Sequence, residues 1–332
     1  LSLNKVLVTG GTGLLGANLT RALVALGYEV NVFYRAGEKH PFLEGLKIQH
    51  FTGDITDEQA LSAAMEGCEV VFHTVGNMSF WKADRPIQYK VNVLGTKTAL
   101  HSAVKAGVRR FIHTSTINTL GIPAHRKIGD ETTEYNWQQY DFYYSTTKKE
   151  AEELALAANS PEFEVVVVNP GTIFGAGDIH LNAGTYIKAI HQKQGFFASS
   201  GGTNCVGVND VVNGHILAMQ KGQPGERYIL GGENLTYKKL FEMIGKELEL
   251  PFHPVLELPD AVTMAAAQLS EWYFKWVGGK NNFVPESAKV GGLKLFYNSS
   301  KAKQELGYQP WDRFKSPFGK PLRFTEIKRF YC

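Results

Sequence analysis

Leu3-Asn4-Lys5-Val6-Leu7-Val8-Thr9-Gly10-Gly11-Thr12-Gly13-Leu14-Leu15-Gly16 is the stretch whose reading decides the fold. Val6, Leu7 and Val8 form a short apolar run of the kind a buried strand uses. Four glycines follow at once, and from Ala17 the apolar residues recur with helical spacing at Leu19, Leu23 and Leu26. Strand, glycine turn and helix in that order put a helix N-terminus just past a sheet edge. Unpaired N–H groups and the positive end of the helix dipole suit a pyrophosphate there. Glycine is needed because a Cβ blocks the tight turn, the phosphate's approach or the helix–strand packing. The stretch therefore predicts a dinucleotide site lined by Gly10, Thr12, Gly13, Leu14, Leu15 and Gly16.

Outward from that unit, strands and helices alternate. Glu29–Tyr34, Ile48–Phe51, Glu69–Thr74, Arg109–Thr114 and Phe163–Val168 read as further strands, rich in Val, Ile and Phe. Helices are expected from Thr56 or Asp57 to Met65, over 88–106 and over Tyr144–Ala158. Such alternation means a parallel sheet covered on both faces, an α/β, doubly wound Rossmann sheet. Residues 1–169 are assigned to it, with later strands free to complete the sheet. From Pro170 the pattern loosens. Helices at 210–220 (Asp210 as N-cap), 236–247, 260–277 and 299–306, with a short strand at Arg227–Leu230, make a smaller, mostly helical substrate lobe over 170–310. Residues 311–332 mix basic and aromatic residues without a functional reading.

Composition narrows the partners. A net charge of +3 with 43% hydrophobic and 20% charged residues argues for neither nucleic acid nor a membrane surface. No apolar run approaches the length of a spanning helix. Cys68, Cys205 and Cys332 have no pairing spacing and point to a reducing, cytoplasmic setting. The ten histidines lack ligand spacing with Cys or acids, so no metal is expected.

The end of the second strand separates NAD from NADP. An acid there holds the free ribose 2′-OH, whereas an arginine pairs with a 2′-phosphate. Here it reads Val32-Phe33-Tyr34-Arg35, with no acid before Glu38. Arg35 can grip a phosphate with two parallel hydrogen bonds, so NADP(H) is expected. Asp54 and Ile55 follow the third strand on the adenine side, Asp54 as an acceptor for the adenine amino group or for backbone N–H. Thr74 and Gly76 end the fourth strand, facing the nicotinamide half.

Tyr144 and Lys148 stand at i and i+4, on one helix face. A phenol is a poor acid–base group near neutrality, and an adjacent ammonium is expected to draw its pKa down. Lys148 also reaches for the nicotinamide ribose. The fifth strand ends Thr114-Ser115-Thr116, offering hydroxyls at the sheet's carboxyl edge, 28 residues before Tyr144.

With these motifs in place, from Val6 to about Pro310, the chain resembles the extended short-chain dehydrogenase/reductases. Thr9 to Gly16, Gly53-Asp54-Ile55, Asn92-Val93-Leu94-Gly95-Thr96, Thr114-Ser115-Thr116, Tyr144 with Lys148, and Asn169-Pro170-Gly171-Thr172-Ile173-Phe174-Gly175 carry the likeness. The Pro170 segment and the ending Leu306-Gly307-Tyr308-Gln309-Pro310 are most similar to the dihydroflavonol-4-reductase-like branch. The resemblance implies a catalytic set of Tyr144, Lys148 and Thr116, with Ser115 as the alternative hydroxyl. It also implies cofactor contacts from Thr114, Pro170, Thr172 and Ile173, and a homodimer built on the helices at 88–106 and 144–158. The family usually has Ser where Thr116 stands, and an Ala-rich segment where His73-Thr74-Val75-Gly76 stands. Asn92 is expected to tie helix to strand.

The function expected is NADPH-dependent reduction of a small-molecule ketone or aldehyde, reversible as alcohol oxidation. The alternatives are a nucleotide-sugar epimerase or dehydratase and, in another class, an NADP-binding redox sensor without turnover. Between Pro170 and Ser300 the sole arginine is Arg227, whereas a sugar nucleotide's diphosphate calls for guanidinium groups. Apolar and aromatic residues instead flank the expected nicotinamide position, with Met78, Phe80, Trp81, Ile122, Trp137 and Phe174 as substrate candidates. They favour an apolar, cyclic or aryl carbonyl compound.

Overall fold

The computed structural model describes residues 5–310, apart from 39, 125–126, 182, 193–196, 251–254, 280 and 282. Six strands lead the chain into its fold: β1 (Lys5–Thr9), β2 (Glu29–Tyr34), β3 (Gln49–Thr52), β4 (Val70–His73), β5 (Arg110–Thr114) and β6 (Glu164–Pro170). Seven more follow: β7 (Thr172–Phe174), β8 (Phe197–Ser199), β9 (Gly202–Gly207), β10 (Arg227–Leu230), β11 (Glu233–Thr236), β12 (Leu256–Leu258) and β13 (Lys294–Leu295). Among the described residues, β10-β6-β5-β4-β1-β2-β3 form one seven-stranded sheet, every pair parallel. The order reverses between β1 and β4, which places a crevice for a ligand at their carboxyl ends.

The helices are α1 (Leu14–Ala25), α2 (Glu58–Met65), α3 (Arg85–Tyr89), α4 (Gly95–Lys105), α5 (Tyr143–Ala157), α6 (Gly184–His191), α7 (Val208–Lys221), α8 (Tyr237–Glu247), α9 (Asp260–Val277) and α10 (Pro285–Gly291). Asp57 caps α2 by accepting from the N–H groups of Gln59 and Ala60, settling the choice between Thr56 and Asp57. The expected helix at 88–106 is α3 and α4 joined through a π-helical turn at Lys90–Leu94. Asp210 is not an N-cap: α7 starts two residues earlier, with Gly207 at the cap.

Sheet residues alternate between two buried layers. Val6, Val8, Val30, Val32 and Phe72 face α1 and α7, while Leu7, Phe33, Val71, Phe111 and Val165 face α2 and α4. At roughly 25 cal/mol per Å² of apolar surface removed from water, these layers are the main stabilising term. The first layer also draws in Val208, Val212, Tyr228, Leu230, Ala302 and Tyr308. Chain order and lobe membership therefore part company after Pro170: α7, β10 and the segment near Tyr308 complete the Rossmann body.

The smaller lobe has its own sheet, in which β9 pairs antiparallel with β11 and parallel with β7 and β13. Its core joins Phe174, Ile187, Ile190, Leu235 and Leu240. On α9, Thr263 and Ala267 are buried while Leu269, Trp272 and Trp276 are exposed. Tyr297 links the lobes, its hydroxyl donating to the Gly121 carbonyl at 2.8 Å.

Candidate active site

The glycine turn is as close-packed as its sequence requires. A Cβ on Gly16 would lie 2.2 Å from the Gly10 carbonyl oxygen, and one on Gly11 would lie 2.0 Å from Val32 Cγ1. Gly10 also has φ +72°, a conformation that L side chains rarely adopt. In front of α1 the situation is different. A Cβ on Gly13 would meet nothing nearer than 3.4 Å, and no side chain caps the helix. The first turn thus keeps its N–H groups and an open approach, which fits a pyrophosphate.

Beside this cradle, Arg35 is exposed and ion-paired with Glu38. The Glu38 carboxylate also accepts the Thr12 hydroxyl at 2.5 Å. Asp54 accepts from the Thr56 N–H at 2.9 Å and pairs with Lys90 at 2.8 Å. Lys90 first, then the hydrogen bonds from Thr56, hold its pKa down to about 2. Thr74 donates to the Thr9 carbonyl at 2.7 Å, which steadies the two strand ends flanking the crevice. Ile55 is buried against α4, where Gly95 has no room for a Cβ. Pro170 ends β6; Thr172 and Ile173 lie on β7, the Thr172 hydroxyl 2.9 Å from that of Thr203.

The catalytic candidates converge beyond β5. Tyr144 sits in the first turn of α5, partly buried, its hydroxyl facing the Thr116 side chain. Thr116 also accepts from the Asn118 N–H at 3.3 Å, capping the short turn that follows. Lys148, one turn after Tyr144, is buried and donates to the Thr114 carbonyl at 2.7 Å. Burial lowers its pKa to about 8 against the raising effect of Glu152. The Tyr144 hydroxyl moves in the opposite sense to the sequence-based expectation. Loss of hydration pushes it up to about 12, and the Thr116 hydrogen bond offsets only part of this. The polypeptide by itself thus keeps Tyr144 protonated, the form that can donate a proton.

The remaining hydroxyls face elsewhere. Thr114 Oγ1 is 2.9 Å from His215 Nε2 on α7, so only its carbonyl serves Lys148. Ser115 donates to Glu152. Glu152, fully buried, also accepts from Thr119 at 2.6 Å and Asn169 at 2.7 Å on Oε2, and from Arg227 at 3.0 Å on Oε1. Glu152 was missed in the sequence, although its spacing of four from Lys148 and eight from Tyr144 on one helix places it on the same face. Asn92 sits at the π-helical turn. It accepts from the Asn77 N–H at 2.7 Å, donates to the Asn77 carbonyl at 3.0 Å and donates to Thr147 at 2.9 Å. It thus ties the loop after β4 to α5, rather than a helix to a strand as expected. Beneath Lys148, His73 and His113 stack at 5.7 Å. His73 bridges the Thr9 and Thr96 hydroxyls at 2.9 and 3.1 Å, and burial lowers its pKa to about 3.

The substrate candidates divide. Phe80 and Ile122 pack, with Tyr144, on an apolar cluster of Ile117, Leu120, Phe142 and Tyr297. Phe80 and Phe142 stack at 4.9 Å. Trp81 lines a small surface recess with Phe80 and Tyr143, and Met78 is exposed. Trp137 and Phe174 are core residues: Trp137 donates its indole N–H to the Leu120 carbonyl at 2.7 Å, and Phe174 is buried in the smaller lobe's core.

Comparison with known proteins agrees with this architecture. Residues 7–234 match the model of the 3-beta hydroxysteroid dehydrogenase/isomerase family. A Synechocystis sp. protein provisionally named dihydroflavonol 4-reductase is 34% identical over 305 residues, 90% of this chain and 88% of that one. Sterol demethylase protein B of Methylococcus capsulatus is 34% identical over 310 residues, 92% of this chain and 93% of that one. The crystal structure of gox2253 superposes with a TM-score of 0.84 at 29% identity, covering 98% of both chains. The glycine cradle, the Tyr144–Lys148 helix and these likenesses converge: the chain belongs to the 3-beta hydroxysteroid dehydrogenase/isomerase family of extended short-chain dehydrogenase/reductases.

Proposed function

We propose that the protein is an NADP(H)-dependent oxidoreductase that reduces an apolar, cyclic or aryl ketone or aldehyde, and in reverse oxidises the corresponding alcohol. The observation that carries this reading is the Tyr144 side chain, four residues before the buried Lys148 on α5, beside Thr116 and set against an apolar, aromatic cluster. A carbonyl oxygen placed beside Tyr144 accepts its proton while the Thr116 hydroxyl polarises the same oxygen. Lys148, four residues on and fixed on Thr114, supplies positive charge to the developing phenolate. It is also the group placed to hold the nicotinamide ribose. The nicotinamide, when bound, supplies or takes the hydride. Gly10 to Gly16 would hold the pyrophosphate, and Arg35 the 2′-phosphate.

Two further features favour this substrate class. Arg227, the sole arginine between Pro170 and Ser300, lies on the edge strand of the main sheet and is paired with Glu152, which removes it from any diphosphate. The sterol protein among the relatives is named for a polycyclic, apolar substrate class. Activity is tested by following NADPH oxidation with a panel of cyclic, aryl and short aliphatic ketones. Turnover should be highest with ring-containing ketones; micromolar binding of UDP or dTDP at a site distinct from NADP would overturn the reading in favour of a nucleotide-sugar enzyme.

Cofactor choice has its own test. Calorimetric titration should give tighter binding of NADPH than NADH, and Arg35→Ala should erase most of the difference. An exposed guanidinium contributes a screened interaction, so a gap of about tenfold is expected, shrinking with added salt. Tighter NADH binding by the unaltered protein would reverse the assignment. A homodimer through α4 and α5 completes the proposal.

A further inference from the structure

Arg35 does not stand alone at the adenosine end. Gly37, with φ +84°, turns the chain back so that the Glu38 N–H donates to the Arg35 carbonyl at 3.2 Å. The turn brings the Glu38 carboxylate over the glycine loop. Its Oε1 accepts the Arg35 Nε–H at 2.7 Å, and its Oε2 accepts the Thr12 hydroxyl at 2.5 Å. The Glu38 side chain is 23% exposed, against 72% for Arg35. The carboxylate is thus the inner of the two charges, lodged between the strand-two arginine and the pyrophosphate cradle.

We propose that Glu38 is a specificity-determining residue for the dinucleotide, holding back the preference for NADP and keeping NAD as a usable second cofactor. The inference rests on the dinucleotide reading given above. A 2′-phosphate that takes the Arg35 guanidinium must share it with a carboxylate already bound to its Nε–H and one terminal nitrogen, and the two anions repel at close range. A ribose with a free 2′-OH has no such conflict. It carries a donor hydroxyl, and Glu38 is the carboxylate acceptor on this side of the cradle, the part an acid at the end of β2 plays when it stands there. One residue therefore opposes NADP and favours NAD.

Glu38→Gln removes the charge while keeping the length and an acceptor for Thr12. Calorimetry on the unaltered protein and the variant, with NADP, NAD, 2′,5′-ADP and AMP as ligands, separates the terms. The variant should bind NADP and 2′,5′-ADP about three- to fivefold tighter, the range of an exposed ion-pair interaction. It should bind NAD and AMP, which share the free adenosine 2′-OH, about threefold weaker. Glu38→Ala, which also removes the Thr12 contact, should show the same sign for 2′,5′-ADP. An unchanged NADP-to-NAD ratio in both variants overturns the role of Glu38 while leaving an NADP preference standing. Equal weakening of all four ligands overturns it too, since that outcome marks a residue that merely shapes the loop. A preference of the unaltered protein for NAD that Glu38→Gln reverses would support the role of Glu38 and overturn the NADP assignment.

Discussion

Replacing Tyr144 by phenylalanine should cut carbonyl reduction about 10²–10⁴-fold, the usual contribution of a positioned proton donor. Cofactor binding should persist. The ring keeps its place on the cluster with Phe142, and the atom removed is the one that meets Thr116. Single-turnover measurement of hydride transfer, alongside calorimetric titration with NADPH, checks both halves. A variant retaining nearly full turnover would exclude Tyr144 as the donor. The pH dependence adds a second readout. Lys148 loses its proton as pH rises through about 8, so the reductive rate should decline above that value while Tyr144, near 12, remains protonated. Linkage has the opposite sign for stability. Because the folded-state pKa of Lys148 lies below the ordinary lysine value, the unfolded chain binds more protons between about 8 and 10.5. Folding stability from this group therefore rises with pH across that window.

Removing Glu152 should have the largest effect on the fold itself. Its carboxylate accepts three hydrogen bonds on one oxygen and pairs with Arg227 on the other, with no exposure to solvent. Glu152→Ala leaves a guanidinium and three buried donors without their acceptor. Such a loss costs about 3–5 kcal/mol, or about 4–7 °C in Tm for a chain of this size. Glu152→Gln retains the shape but turns one acceptor oxygen into a donor, so it should recover only part of the loss. Thermal denaturation of both variants is the check, and a Tm within a degree of the unaltered protein for Glu152→Ala would refute the argument. Arg227→Met in the Glu152→Ala background should cost much less than Arg227→Met alone, because the partner charge is already gone.

Local patterns in the chain were enough for the architecture and for the candidate pair Tyr144 and Lys148. A strand, a glycine turn and a helix form from neighbours in sequence, so Val6 to Leu26 declares the first unit unaided. Tyr144 and Lys148 were equally legible, because a separation of four residues fixes a shared helix face whatever surrounds it. The parallel sheet followed from alternating apolar runs, and the bounds of its strands moved by only one or two residues.

What the tertiary structure decided depended on groups distant in sequence. Arg227 and Glu152 are 75 residues apart, and their pairing required β10 to join the edge of the main sheet rather than the smaller lobe. The same distance effect separated Ser115 from Thr116. Adjacent hydroxyls look equivalent in the chain, yet extended backbone sends successive side chains to opposite sides, one to Glu152 and the other to Tyr144. It also decided which aromatics were packed away, since Trp137 and Phe174 carry the same apolar surface as Phe80 and differ only in what the fold lays over them. The sign of the Tyr144 shift belongs here as well. A neighbouring lysine can be counted along a helix, but the water excluded from a phenol is set by the groups the fold packs around it, and in this protein that exclusion decides the sign.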